Sequence, residues 1–306
     1  MLYRNLSGYF REKYGKRLGK ICIDGGFSCP NRDGKCGTGG CIFCGERGAG
    51  EHIDPTLSIR SQVKNALEGA RDNAKFVAYF QNFTNTYAPI TVLKERYDAA
   101  LIDERIRVLA IGTRPDCIDE EVAALIASYK EKLDVWVELG LQTSSDKTAE
   151  RINRGYKTEV FGRAVKILDR HGIPVVAHMI VGLPGEGAAE VGDTVDYLVR
   201  LPLFGVKIHS IYVMRGTRLA EVYERGEYEP PSLSEYVECV SYALSHLPPD
   251  IVIHRLTGDC PHDLLVAPEW NVDKHAVIEK IKEYMEENGL FQGKYYKKPP
   301  QQDRTP

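Results

Sequence analysis

Short runs of aliphatic and β-branched residues recur along the chain: KICID (20–24), KFVAYF (75–80), IRVLAI (106–111), DVWVEL (134–139), PVVAHMIV (174–181) and VKIHSIYV (206–213). Each is short, apolar and bounded by polar or turn residues, the signature of a buried strand. Between them lie stretches whose apolar positions repeat at helical spacing, near 57–73, 91–102, 119–130, 158–171 and 188–200. In the last of these Val191, Val195, Leu198 and Val199 share one face. Strands alternating with helices predict right-handed crossovers and a mostly parallel sheet covered on both faces. The fold class is therefore α/β, either an incomplete β/α barrel or an open doubly wound sheet. Two features favour the barrel. Polar and glycine-bearing segments follow nearly every strand, where barrel enzymes keep their chemistry. The first strand is followed by a cysteine-rich loop rather than by a dinucleotide or nucleoside-triphosphate fingerprint.

The ends of the chain differ from this repeat. Residues 251–260, IVIHRLTGDC, read as a strand running into a polar loop, and 273–289 as an amphipathic helix with Val277, Ile281, Tyr284 and Met285 on one face and Asn288-Gly289 as its stop. The expected division is a basic segment over 1–19, the barrel over 20–247, a C-terminal extension over 248–293 and a disordered tail over 294–306. Residues 1–20 carry six basic residues against one acid, Glu12, and a second basic, tyrosine-bearing stretch is KYYKKPP (294–300). Such stretches suit phosphate contacts with base stacking, or are solvated frayed ends.

Composition narrows the class. Of 306 residues, 43% are hydrophobic and 27% charged, as in soluble globular proteins, and the net charge of −3 gives no global attraction to nucleic acid. No apolar run is long enough to span a membrane, and the N-terminus lacks the features of a signal peptide, so the protein is expected in the cytoplasm, without a membrane partner. Thiols there stay reduced, which makes clustered cysteines metal ligands or reactive groups rather than disulfides.

The cluster is CPNRDGKCGTGGCIFC, with Cys29, Cys36, Cys41 and Cys44 separated by six, four and two residues. The closing Cys-x-x-Cys can grip one ion or one cluster face. Gly34, Gly37, Gly39 and Gly40 let the backbone fold tightly around a bulky group. A four-thiolate structural zinc site and a three-cysteine [4Fe–4S] cluster both fit the spacing. Position at the mouth of a β/α barrel favours the cluster.

Further segments follow the other strands: AYFQNFTNTYAP (78–89), GTRPDCID (112–119), ELGLQTSSDKTAERINRGY (138–156), AHMIVGLPGE (177–186) and RLTGD (255–259). In this order, together with DGGFSCPNRDG and GGCIFC, they resemble the radical S-adenosylmethionine (radical SAM) enzymes, from about Tyr9 to about Gly293. Most of that superfamily spaces its cysteines Cys-x3-Cys-x2-Cys. Here eleven residues separate Cys29 from Cys41, a pattern similar to the narrower YhcC-type group, itself similar to the radical-enzyme half of the Elongator catalytic subunit.

The resemblance implies a partial (β/α)6 TIM-like barrel with a short C-terminal α/β extension, and a [4Fe–4S] cluster and S-adenosylmethionine as cofactors. It makes Cys29, Cys41 and Cys44 the iron ligands and leaves Cys36 a bystander. Phe43 corresponds to an aromatic that packs on the adenine. Gln81, Asn82 and Thr84 follow the second strand, where the superfamily binds the methionine amino group, although the usual Gly-Gly-Glu is absent. Glu138 and Gln142 are placed at the ribose or methionine carboxylate, with an ordinary salt bridge as the alternative for Glu138. Gly182 allows close approach to adenine or makes a tight turn. Arg114 and Asp116 are catalytic or cofactor contacts or an internal ion pair. Tyr212 is a third catalytic candidate. Arg154, His178 and Arg215 are expected at the same mouth, where basic groups suit a phosphate-bearing substrate, and His209 is read as a packed core histidine. Cys22, Cys117, Cys239 and Cys260 are read as structural.

By the same resemblance the expected reaction is radical chemistry on the C5 side chain of the wobble uridine of tRNA. It remodels a carboxymethylaminomethyl-type group, because the acetyltransferase domain of the Elongator subunit has no counterpart in the sequence. The expected electron donor is a flavodoxin or ferredoxin. A radical enzyme acting on a small metabolite and a zinc-stabilised, non-catalytic RNA-binding protein are the alternatives.

Overall fold

The computed structural model describes residues 2–48 and 53–298. In chain order the elements are α1 (Leu6–Tyr14), β1 (Gly19–Ile23), α2 (Ile59–Leu67), β2 (Phe76–Phe80), α3 (Ile90–Ala100), β3 (Ile106–Thr113), α4 (Glu120–Ser128), β4 (Asp134–Gln142), α5 (Asp146–Arg151), α6 (Thr158–Arg170), β5 (Val175–Val181), α7 (Ala188–Leu198), β6 (Gly205–Ser210), β7 (Val213–Met214), α8 (Arg218–Glu224), α9 (Leu233–His246), β8 (Val252–Arg255), β9 (Leu265–Ala267) and α10 (Lys274–Glu287).

Seven strands pair in parallel in the order β1-β2-β3-β4-β5-β6-β8. Sequential order is the mark of a singly wound sheet, whereas a doubly wound sheet reverses direction partway. The chain therefore forms a half-barrel. The strand over 252–255, expected in a C-terminal extension, is the seventh strand of this sheet. The sixth strand ends at Ser210, and Val213–Met214 instead pairs antiparallel with β9.

Strand alternation separates two cores. One set of positions, including Ile21, Phe80, Leu109, Val137, Met179 and Ile208, packs against the surrounding helices. The opposite set, including Val77, Tyr79, Val108, Trp136 and Val176, faces the barrel interior and packs on Phe10 of α1. The basic N-terminal stretch is thus an ordered plug. Asn5 caps α1, Gly15 ends it in the left-handed conformation, and the Phe10 and Trp136 rings stack at 6.2 Å. Burying a side chain such as Phe10 contributes about 1.5–3 kcal/mol. Lys13 pairs with Asp134 at 2.6 Å, and Arg4 with Glu12 at 3.2 Å.

The helix over 233–246 does not appear among the helices read from the sequence, yet its residues Tyr236, Val237, Val240, Ala243 and Leu244 are buried. Its start is a capping box, Ser232 with Glu235. The helix expected over 273–289 is α10, with Val277, Ile281 and Met285 buried. Of the tail expected to be disordered, Tyr295 is tied to the end of α9 by its backbone N–H to the Ser245 carbonyl, 2.8 Å. Residues 299–306 of that tail lie outside the described residues.

Candidate radical-cluster site

The cysteine loop follows β1 at the carboxyl end of the parallel strands. It is built from its own turns first. The Cys29 carbonyl accepts the Arg32 N–H at 2.8 Å, Cys36 N–H donates to the Pro30 carbonyl at 2.8 Å, and Cys44 N–H donates to the Cys41 carbonyl at 3.1 Å. Distant segments then pin it. Ile42 N–H donates to the Ile152 carbonyl at 3.0 Å, and the Ile42 carbonyl accepts Leu219 N–H from α8 at 2.9 Å. Asn153 Nδ2 donates to the Gly40 carbonyl at 2.7 Å, which also accepts from Arg218.

Two residues that the sequence reading passed over hold the loop from inside. Asn31 is fully buried, and its Nδ2 donates to the Asn153 carbonyl at 2.6 Å and lies 4.0 Å from Cys41 Sγ. A Cβ on Gly155, whose φ is +82°, would come within 2.7 Å of Asn31 Oδ1, and a Cβ on Gly37 would overlap the same oxygen. Arg32 turns its guanidinium to the carbonyls of Cys44 and Glu46 at 3.4 and 3.1 Å, also bonds the Gly45 carbonyl, and lies over the Phe83 ring at 5.3 Å. The signal for both was the dipeptide Asn-Arg directly after Cys29-Pro30.

The Cys41 and Cys44 thiols hydrogen-bond each other. That bond raises Cys41 and lowers Cys44 to about 7, where Arg32 and Arg114 offset the effect of burial. Cys29 is the third thiol within electrostatic reach of Cys41. Cys36 is exposed, with Asp116 within electrostatic reach of its thiol. Among the described residues no three Cys, His, Asp or Glu side chains converge on the space of a single ion. A four-thiolate zinc site needs every donor about 2.3 Å from one ion. A four-iron cluster presents its coordination positions on separate irons, so its three thiolates need not converge on one point, and the two arginines favour the thiolate form.

The other predicted residues sort clearly. Arg114 and Asp116 form a bidentate pair, 2.9 and 2.7 Å, and Arg114 also donates to the Arg154 carbonyl at 2.9 Å and lies over the Tyr156 ring. The ion-pair alternative is what the structure contains, placed where the Arg114 charge acts on the cysteine thiols. Phe43 is half-buried against the apolar cluster of Ile42, Ile180, Leu183 and Ile211. Asn82 and Thr84 are fully buried, Asn82 Nδ2 donating to Asp24 at 2.8 Å, and Asn82 Oδ1 and Thr84 Oγ1 have no partner among the described residues. Gln81 lies beside Gly112. Gln142, with φ 69°, sits at a bulge where β4 leaves the sheet. Tyr212 lies near Cys44, and burial keeps its phenol protonated. Gly182 has φ +94°, and a Cβ there would meet Pro231 at 2.6 Å and Ile211 at 2.8 Å, so turn and packing explain this glycine.

Three residues are engaged inside the protein. Glu138 is spent inside the barrel. Its Oε1 accepts Trp136 Nε1 at 3.0 Å, and its Oε2 accepts His178 Nε2 at 2.9 Å and the Lys207 ammonium. Burial opposes its charge, but Lys207, His178 and His254 hold its carboxyl well below the usual range. Burial draws Lys207 down to about 8 against the pull of Glu138. Arg154 lies at the carboxyl end of β4 but is enclosed there. It is 1% exposed, and its guanidinium bonds the carbonyls of Leu141, Thr143 and Tyr156 at 2.6 to 3.1 Å. His209 does face the interior with the network, its ring 5.2 Å from that of His178, and burial keeps it neutral.

Residues 34–198 match the Radical SAM superfamily and residues 204–287 the Radical_SAM C-terminal domain. The chain is 38% identical to YtqA of Bacillus subtilis over 97% of this chain and 93% of that one, and 34% identical to YhcC of Escherichia coli over 94% of each. It is 31% identical to the tRNA uridine(34) acetyltransferase of Methanocaldococcus jannaschii over 61% of this chain and 34% of that one. The archaeal Elp3 of Methanocaldococcus infernus has a similar fold, with a TM-score of 0.68 at 22% identity over 90% of this chain and 64% of that one.

Proposed function

This chain belongs to the radical SAM superfamily, and from that premise we propose that it modifies the C5 side chain of the tRNA wobble uridine, remodelling a carboxymethylaminomethyl-type substituent. The observation that carries the enzymatic part is the pinned loop after β1, in which the Cys29 and Cys44 thiols lie within electrostatic reach of Cys41 while Cys36 is exposed. Those three cysteines would hold the [4Fe–4S] cluster. When bound, it supplies the electron that splits S-adenosylmethionine and yields a 5′-deoxyadenosyl radical, the electron coming from a flavodoxin or ferredoxin.

The chain's own residues prepare that chemistry. Arg32 and Arg114 favour thiolate at Cys44, and the Arg114–Asp116 pair fixes where the Arg114 charge sits. The unpartnered oxygens of Asn82 and Thr84, with Gln81, suit an ammonium group such as that of methionine. Phe43 offers an apolar surface for adenine, and Gln142 a polar group at the end of β4. Tyr212 keeps its proton and so offers a hydrogen-bond donor beside Cys44. Support for tRNA is the partial similarity to the tRNA uridine(34) acetyltransferase. Comparing wobble nucleosides from a strain lacking this protein with the parent tests it. Loss or accumulation of one C5-substituted uridine, reversed by the wild-type chain but not by Cys41→Ala, is the expected outcome. An unchanged profile rejects tRNA as substrate.

A further inference from the structure

A pocket lies among α1, β8 and α10, beside the plug that closes the barrel interior. It has a volume of about 310 Å³, within the range of small-ligand sites. Arg11, Arg17 and Arg255 line it, and no Asp or Glu does among the described residues. Arg255 is paired with Asp259 at 3.0 Å. The Arg11 and Arg17 guanidinium groups have no hydrogen-bond or ion-pair partner among the described residues. The wall also contains Asn5 and Ser7, the N-cap and an early residue of α1, and Ser7 Oγ is buried without a partner.

From these residues we infer that this pocket is a phosphate-binding site, separate from the cysteine loop. Unpaired guanidinium groups match phosphate oxygens with two parallel hydrogen bonds each. The start of a helix adds partial positive charge and free N–H groups, and a serine hydroxyl adds a donor. Leaving a buried hydroxyl unmatched is destabilising, and an accepting oxygen removes that cost. Two uncompensated arginines, Arg11 and Arg17, at one hollow repel each other, and an anion relieves that repulsion. In a chain of net charge −3, this is a local feature and not part of a general basic surface. The phosphate belongs either to a small phosphorylated molecule or to the backbone of a single-stranded nucleic acid.

Two probes tell these sources apart: inorganic phosphate, and a twelve-residue oligouridylate without terminal phosphates. Binding is read by thermal shift and calorimetry on the full chain, against chloride at equal ionic strength. An Arg11→Ala/Arg17→Ala variant, altered only at exposed side chains, is measured beside it, with circular dichroism to confirm its fold. A second variant, Ser7→Ala, removes one donor. Saturable phosphate binding that weakens at least tenfold in the arginine variant and several-fold in Ser7→Ala establishes a site for small phosphorylated molecules. Oligonucleotide binding with the same dependence establishes a backbone site. Binding that neither variant changes, or no saturable binding of either probe, overturns the inference. None of these readings depends on the tRNA reaction proposed above.

Discussion

At the scale of single residues, the cysteine loop distinguishes ligands from neighbours. Cys36→Ala is expected to retain iron and sulfide after anaerobic reconstitution, because its thiol is exposed and is not among those acting on Cys41, whereas Cys29→Ala is expected to lose the cluster. A four-thiolate zinc site would instead lose metal in both variants. Asn31→Ala leaves the Asn153 carbonyl without its buried donor, at a cost of about 1–3 kcal/mol. Lower iron content per folded chain and a lower unfolding temperature are expected, read by iron assay and calorimetry. The spacing Cys-x-x-Cys was legible in the sequence, but the grip of Asn31 and Arg32 was not, since their partners at 44–46 and 153 meet them only in three dimensions. Backbone strain tells the same story. The described non-glycine residues with left-handed backbone are Phe83, Gln142 and Asn153, and Phe83 and Asn153 contact the loop while Gln142 is a predicted site residue. Such conformations cost about 1–3 kcal/mol each and persist where surrounding structure enforces them.

At the scale of elements, the polar network between β4, β5 and β6 governs how the strands tolerate change. Lys207→Met strands the buried Glu138 charge and is expected to cost about 3–5 kcal/mol in urea unfolding. The double variant Lys207→Met/Glu138→Leu removes both charges and is expected to recover most of that loss. Glu138 also sets a pH dependence. Its folded pKa lies below the ordinary value of 4.5, so its contribution is complete above 4.5 and is lost as pH falls through the lower, folded value. The wild type should therefore lose stability more steeply than the double variant on acidification below pH 4.5, with a urea midpoint series as the measurement. Equal slopes would place the acid-sensitive groups elsewhere. Most strands were legible because buried parallel strands are continuously apolar. The position of Glu138 at the end of such a run looked like a ligand because its partners, Lys207 and His178, sit on other strands. β7 and β9 were not legible, because two- and three-residue strands carry no periodicity and arise from tertiary pairing alone. For α9 the capping box Ser232–Glu235 was present in the sequence, and the apolar face behind it is diluted by serines and a cysteine.

At the scale of the molecule, charge is partitioned. A groove of about 1260 Å³ runs beside α7, α9 and the segment after β5, and Glu186, Glu227, Glu229, Glu235, Glu238 and Glu269 line it without a Lys or Arg among the described residues. A phosphate backbone avoids such a field. Reversing two exposed acids, Glu229→Lys/Glu238→Lys, is therefore expected to leave tRNA affinity unchanged or tighten it, measured by filter binding at fixed salt. A loss of affinity would mean that the nucleic acid uses this groove.

The plug formed by α1 has one more consequence, in the timing of synthesis. Residues 6–14 are made early, yet Arg4 and Asn5 bond to Ile253 of the last barrel strand, and Phe10 packs on Trp136. At about 5–20 residues per second, roughly 12 to 50 seconds separate the emergence of Asn5 and of Ile253 from the ribosome. Through that interval the apolar face of α1 has no finished barrel to cover, and the interior stays open at the end that α1 later seals. The first helix made is thus among the last to find its place, and a nascent chain stalled before residue 253 exposes a sticky N-terminus that the finished protein hides.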